Sequence, residues 1–261
     1  LDADIVWLLD LPSAAGIWPH DAAHSSILID GNHLYVNTST GVDNTHKRIR
    51  TPDAPSLVVI DKRTGRLLAR DAEAVARDIF HCTWSSPSLA KVNGRPLLFF
   101  AGGNGVIYAF EPLAAQGKST DSGSPSAAPA NSPPTTDHGH TTATPSVRSL
   151  SKVWQFDFDP TAPKGDIHPF LSNRREGPSN IYGMPVFHRN RIYVAGGGDV
   201  FWGKNEAWLK CIDAGKTGNI TASGLVWSFP LEKHVMSTPA VHEGMVFISD
   251  CGRAFHCVDA E

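Results

Sequence analysis

Four copies of one short pattern, spaced about 60 residues apart, constrain this 261-residue chain more than anything else in it. Each copy opens on an apolar run: Ser26-Ile27-Leu28-Ile29, Ser86-Pro87-Ser88-Leu89, Met184-Pro185-Val186-Phe187 and Thr238-Pro239-Ala240-Val241. A turn and a second apolar run follow, at residues 31–36, 94–100, 190–194 and 244–248. A third run ends in an acidic residue, at Asp61, Glu111, Asp213 and Asp259. A fourth carries Val-Trp at Val6-Trp7, Val153-Trp154 and Val226-Trp227, and Leu67-Leu68 takes that slot in the first full unit.

Counted from Ile27, Pro87, Pro185 and Pro239, the copies lie 60, 98 and 54 residues apart. The long interval contains residues 114–149, a 36-residue stretch of Ser, Thr, Pro, Ala and Gly with no aromatic and one large aliphatic, Val147. Without it the interval is 62. Such a stretch buries too little apolar surface to offset its ordering entropy, so it reads as a disordered insertion in a surface loop. The repeat continues across it, which argues against a linker between domains.

The runs are about five residues long, rich in Val, Ile, Phe and Tyr, and bounded by Gly, Asn and Asp, which are strand and hairpin signals. Asn104-Gly105 and Cys251-Gly252 sit where a tight hairpin turn needs positive φ. Helical signal is confined to residues 71–80, enough for one or two turns. Four strands per unit, repeated in one order, describe β-propeller blades. A β-sandwich has no reason to repeat its opening, acidic and Trp positions in register. The expected fold is all-β: about four four-stranded antiparallel propeller blades over residues 1–261, interrupted by 114–149.

Charge narrows the partners. The 23 Lys and Arg against 26 Asp and Glu leave a formal charge of −3, whereas nucleic acids and anionic membranes call for a basic excess. No apolar run approaches the roughly 20 residues of a membrane-spanning helix. The four cysteines are too scattered for a disulfide framework. Cys211 and Cys257 share the third-strand slot of Val59 and Ala109 and read as small core residues; Cys251 reads as a hairpin tip, and no disulfide is expected.

Asp61-Lys62-Arg63-Thr64-Gly65 and Asp213-Ala214-Gly215-Lys216-Thr217-Gly218, the latter followed by Val226-Trp227, resemble the repeat signature of pyrroloquinoline-quinone-type propellers. His81-Cys82-Thr83-Trp84-Ser85-Ser86-Pro87 and Tyr108-Ala109-Phe110-Glu111-Pro112 resemble a bacterial, outer-membrane-assembly-like branch of that superfamily. The resemblance covers nearly the whole chain except the insertion. It implies that Trp7, Trp154 and Trp227 dock between neighbouring blades, each indole N–H on a backbone partner, and that Gly65 and Gly218 serve structural turns. It also implies rings of seven or eight blades, so that this chain is part of a longer one whose missing blades are its partners.

The same resemblance implies an extracytoplasmic, periplasmic location and two function classes. One is a non-catalytic scaffold that binds a protein or small ligand in the cell envelope. The other is a quinoprotein-like alcohol dehydrogenase using pyrroloquinoline quinone and Ca²⁺, which the loop 37–55 with its Pro52-Asp53 also resembles and whose cofactor residues would lie in blades outside this segment. The vicinal Cys-Cys pair of such enzymes is absent here, and no Glu, Asn and Asp set matches their Ca²⁺ site. No catalytic residue and no metal ligand is therefore assigned, and the non-enzymatic reading leads.

Residues just before each first strand gather at one mouth of a propeller channel. In that slot stand His20, His81, Asn180 and His234, with Trp84, Arg175 and Tyr182 supplying a stacking surface and a cation from the same loops. Two readings stay open: a ligand-binding mouth led by His81 and His234, able to take a metal, a carboxylate or an acidic loop, and histidines that only cap their own loops. His20-Asp21-Ala22-Ala23-His24 has the i, i+4 zinc spacing but lacks the Glu of the metalloprotease motif and reads as a loop. Arg174-Arg175 has two readings, bidentate holding of a carboxylate or phosphate and, favoured, a solvated loop paired to Glu176.

Overall fold

The computed structural model describes residues 4–21, 25–113 and 146–261. The first blade is β1 (Leu28–Asp30), β2 (His33–Asn37), β3 (Leu57–Asp61) and β4 (Leu67–Arg70). The second is β5 (Ser88–Val92), β6 (Arg95–Ala101), β7 (Val106–Phe110) and, after the two-residue β8 (Arg148–Ser149), β9 (Lys152–Asp157). The third follows β10 (Ser179–Asn180) and holds β11 (Val186–His188), β12 (Arg191–Gly198), β13 (Ala207–Asp213) and, past β14 (Gly218–Asn219), β15 (Leu225–Leu231). The fourth is β16 (Ala240–His242), β17 (Met245–Ser249) and β18 (Phe255–Asp259). Within each blade, neighbouring strands run antiparallel.

The repeat spacing reappears as physical contact. Ser26 N–H donates to Ser86 Oγ across 60 residues, Ser85 Oγ to Gly183 O across 98, and Met184 N–H to Thr238 Oγ1 across 54. Equivalent positions of successive units therefore touch, which is what rotating one blade into the next produces. Two short strands tie the blades further: β8 adds in parallel to β4, and β14 adds in parallel to β9. The four-strand expectation omitted this fifth strand. Of residues 114–149, read as an insertion, 114–145 lie outside the described residues, and the last two form β8.

Packing follows the slots. Opposite the small third-strand residues Val59, Ala109, Cys211 and Cys257 stand Tyr35, Phe99, Tyr193 and Phe247. Each of the three tryptophans donates its indole N–H to the residue after a third strand's acidic end: Trp7 to Lys62 O at 3.0 Å, Trp154 to Ala214 O at 3.1 Å, Trp227 to Ala260 O at 3.3 Å. This suits an amphipathic ring at an interface between blades. Gly65, at φ 71°, lies under the Trp7 ring so closely that a Cβ would come within 2.7 Å of it. Gly218, at φ 80°, has open space around it and is held to glycine by its backbone alone.

Several local expectations are corrected. Cys257 is exposed, not core, because its side of β18 has no blade packed over it here. Trp7 docks as expected, yet residues 4–10 form no strand. In the 250–254 turn the left-handed residue is Arg253, at φ 75°, not Gly252. There the Asp250 carboxylate accepts the Gly252 and Ala254 N–H groups, which sets the turn without help from a glycine φ. At the Asn104-Gly105 hairpin, Gly105 has φ 74° and Asn104 instead uses its side chain, its Nδ2 donating to Tyr108 Oη. Within 71–80 a single 3₁₀ turn forms at Val75–Asp78, and a five-residue helix, Leu11–Ala15, closes on left-handed Gly16.

Candidate functional site

Three backbone segments are laced together at the mouth. His20 N–H donates to Ser39 O, Gly41 N–H to Trp18 O, and Val42 N–H to His81 O. The crossing is tight: a Cβ on Gly41 would lie 2.4 Å from His81 O. This lacing sets the His20 and His81 rings side by side, their centroids 4.8 Å apart. A third ring arrives from the loop 37–55. Asp43 accepts the N–H and hydroxyl of Thr45, His46 N–H closes back on Asp43 O, and His46 sits at φ 58°. One nitrogen from each of His20, His46 and His81 lies within 4.8 Å of the other two.

The rings are oriented from behind. His20 Nδ1 donates to Val42 O at 2.8 Å, and His81 Nδ1 donates to Asp199 Oδ2 at 3.1 Å. Tyr182 Oη donates to the same oxygen at 2.8 Å, while the other oxygen accepts the Phe201 and Trp202 N–H groups. Burial alone would raise the Asp199 carboxyl, but the donors from His81, Tyr182 and Trp202 outweigh it and hold Asp199 below its usual range. Burial, and then the Asp199 charge, push the Tyr182 hydroxyl well above 10, so it stays a neutral donor. His46 is pushed down, first by burial and then by the two neighbouring histidines.

Asp199 reaches this position through a glycine run. Gly196-Gly197-Gly198 lets β12 pass within clash distance of residues 204–207, where a Cβ on Gly198 would fall 1.9 Å from Lys204 O. Arg174, expected as a solvated partner of Glu176, instead forks onto the carbonyls of Val200, Phe201 and Gly203 and pins the loop after Asp199.

The residues expected at the mouth divide. His20, His81, Trp84 and Tyr182 come together, with Trp84 edge-on to His81 and stacked on Tyr182 at 4.7 Å. Asn180 is fully buried and holds backbone, its Nδ2 reaching Cys82 O and its Oδ1 accepting Ile181 N–H. His234 stands apart from the histidine cluster and donates Nε2 to Lys204 O, 30 residues earlier, at 2.7 Å, so it ties its loop to another one rather than capping its own. Arg175 lines a different depression, with Phe170, Lys204 and Trp208. His24 lies outside the described residues. Cys82 is buried against Ser39, and burial lifts its thiol to about 12.

His46 and Asp199 were not anticipated. Their signals were present but local: an Asp-x-Thr turn before His46, and a glycine run ending in an Asp whose carboxylate caps the next turn. Neither signal says where the turn lies in space.

Beside the histidines opens a cavity of about 450 Å³ lined by Asp21, Trp84, Tyr182, Met184, Phe201 and Met236, among others. Aromatic and thioether side chains share its lining with Asp21, Ser86 and Thr238, so the wall is nearly as polar as apolar. The donor set does not fit a quinone-bound Ca²⁺, which takes six to eight oxygens. The converging donors here are imidazole nitrogens, and both Asp199 oxygens already accept two hydrogen bonds each.

No protein-family model matches the chain, and no curated protein matches it. Among solved structures, BamB from Moraxella catarrhalis is 15% identical, with 92% of this chain and 50% of that one covered at a TM-score of 0.48. The quinohemoprotein alcohol dehydrogenase ADHIIG from Pseudomonas putida HK5 is 12% identical, with 99% of this chain and 36% of that one covered at a TM-score of 0.51. The computationally designed Ika4 protein is 8% identical, with 94% and 96% covered at 0.47. The chain thus spans half or less of the two natural proteins. At such identities the likeness speaks to fold alone, and with the repeated blades and docked tryptophans it shows a β-propeller fold, four blades of which lie in this chain.

Proposed function

We propose that this chain is the ligand-binding portion of a non-catalytic propeller of the cell envelope, and that the cavity at its channel mouth takes a small ligand with an aromatic or apolar body. The observation that carries this is the cavity wall: Trp84 stacked on Tyr182, with Phe201, Met184 and Met236 around one opening and Asp21, Ser86 and Thr238 as its polar points. Sites of a few hundred Å³ with apolar walls and a few convergent polar atoms are the usual form of small-molecule pockets. The envelope location rests on the sequence resemblance. Quinone-dependent oxidation has less support, since the mouth offers nitrogen where that chemistry needs oxygen.

The chain's three methionines make the test direct. With methyl-labelled methionine, titration with indole as probe is expected to shift the Met184 and Met236 signals and leave Met245, on β17, in place. Trp84→Ala should abolish the shifts. Shifts of all three signals, or shifts that survive Trp84→Ala, would move the ligand face elsewhere.

A further inference from the structure

The hydrogen bonds behind His20 and His81 decide what lies between them. A carbonyl oxygen only accepts, so His20 Nδ1, facing Val42 O, carries the proton. The Asp199 carboxylate likewise fixes the proton of His81 on Nδ1. Each neutral ring therefore presents an Nε2 lone pair, and the two Nε2 atoms face each other at 3.1 Å. Two lone pairs at that distance repel unless a cation occupies the space they share. His46 brings a third nitrogen within 4.8 Å of both, and its loop ring must move inward for all three to bind one ion. One proton can bridge two rings, but it does not use three.

We propose that His20, His46 and His81 form a binding site for a divalent transition metal, Zn²⁺ by preference, with a fourth position open toward the Trp84–Phe201 cavity. Tetrahedral coordination with Zn–N bonds of about 2.0–2.1 Å places ligand nitrogens roughly 3.3 Å apart, close to the His20–His81 spacing. Imidazole donors select Zn²⁺, Cu²⁺ or Ni²⁺ over Mg²⁺ and Ca²⁺. Three protein nitrogens with the fourth position free is the arrangement of zinc sites that bind an exchangeable group.

The surroundings match such a site. Histidine ligands commonly donate their other ring N–H to a carboxylate or a backbone carbonyl, and both forms are present, at Asp199 and Val42. Asp199 is the positioning residue: Tyr182 Oη and two backbone N–H groups hold it so that it holds His81. Asp21, with a carboxylate oxygen 4.0 Å from His20 Nε2, borders both the cluster and the cavity. The fourth position would take water or an anionic donor atom carried by whatever enters the cavity. The site stands on its own geometry and does not require the cavity reading.

The test is metal titration of the full chain after dialysis against a chelator, using Zn²⁺ by calorimetry and Co²⁺ by its visible spectrum. Expected are one Zn²⁺ per chain at the histidine cluster and tetrahedral Co²⁺ bands. His46→Ala, on a half-buried loop ring whose loss leaves the blades intact, should abolish both signals with an unchanged circular dichroism spectrum. Asp199→Asn should weaken binding about 10–100-fold, the usual effect of losing such a partner. His234→Ala, outside the cluster, should change nothing. Failure of the folded wild type to bind, or equal binding by the folded His46→Ala and His20→Ala variants, would overturn the proposal. Indole shifts at Met184 and Met236 that persist in His46→Ala would show that the cavity and the metal site succeed or fail separately.

Discussion

The junction between the second and third blades and the sheet of the fourth blade use the same slots and reach opposite ends of burial. Trp154 and Trp227 make the same indole-to-carbonyl bond, yet Trp154 is 0% exposed within a cluster of Phe99, Ile192 and Ile212, while Trp227 is half-buried. Cys211 and Cys257 occupy one register position, the first buried and the second exposed. On β18, Phe255 is 72% exposed. A local pattern thus sets the hydrogen bond and the strand register, but burial is supplied by the neighbouring sheet. The hydrophobic contribution, at about 25 cal/mol per Å² covered, goes with the neighbour.

Thiol chemistry should show the largest contrast. A charged aromatic disulfide reagent should modify Cys257 and Cys251 in the native chain and leave Cys211 and Cys82 roughly three orders of magnitude slower, since those two react only on opening. Burial, which raises Cys211 to about 11 and Cys82 to about 12, works in the same direction. Equal rates at Cys211 and Cys257, read by peptide mass mapping, would erase the distinction between the blades.

Tryptophan truncation comes next. Trp154→Ala should cost about 3–5 kcal/mol in denaturant unfolding, as expected for a large buried ring. Trp227→Ala should cost less than half of that, because part of its ring already faces water. Similar losses would mean that the hydrogen bond, not the burial, stabilises the docked ring.

The two Thr-Gly turns sharpen the same point with smaller effects. Gly218→Ala meets only the left-handed backbone penalty, about 1–2 kcal/mol. Gly65→Ala adds a clash with Trp7 and should cost at least about 1 kcal/mol more. A double-mutant cycle with Trp7→Ala should remove that difference.

The last contrast is acid sensitivity at the second–third junction. Burial would raise Asp159, but the Lys204 ammonium and the Thr161 and Ser179 hydroxyls outweigh it and bring it to about 2. A carboxyl lowered by folding stabilises above its unfolded value and loses that contribution as pH falls through its folded value. Its contribution should therefore be complete above about pH 4 and fade toward pH 2, whereas Asp159→Asn should flatten that segment of the stability profile. The exposed Arg95–Glu111 pair should show no such step.

Much of the fold was legible because its signals are short-range and repeated. Apolar runs, turn residues and the Trp slot each act within a few residues, and fourfold repetition turned weak signals into one answer. The candidate site was only half legible. His20, His81, Trp84 and Tyr182 could be placed at the mouth from their slot before the first strands, but the same slot also named His234 and Asn180, which hold backbone instead. Slot arithmetic gives the angle around the ring and says nothing of height or side-chain direction.

Local patterns along the chain set the blade: its strands, its register, its docked tryptophans and the spacing at which blades touch. The cluster and the burial come from packing between distant segments. His81 meets Asp199 across 118 residues and His46 from within a loop, because convergence of side chains depends on how loops of unequal length cross. Cys211 and Cys257 share a sequence slot and differ in exposure, because solvent is excluded by the sheet that packs alongside and not by the strand that carries the residue.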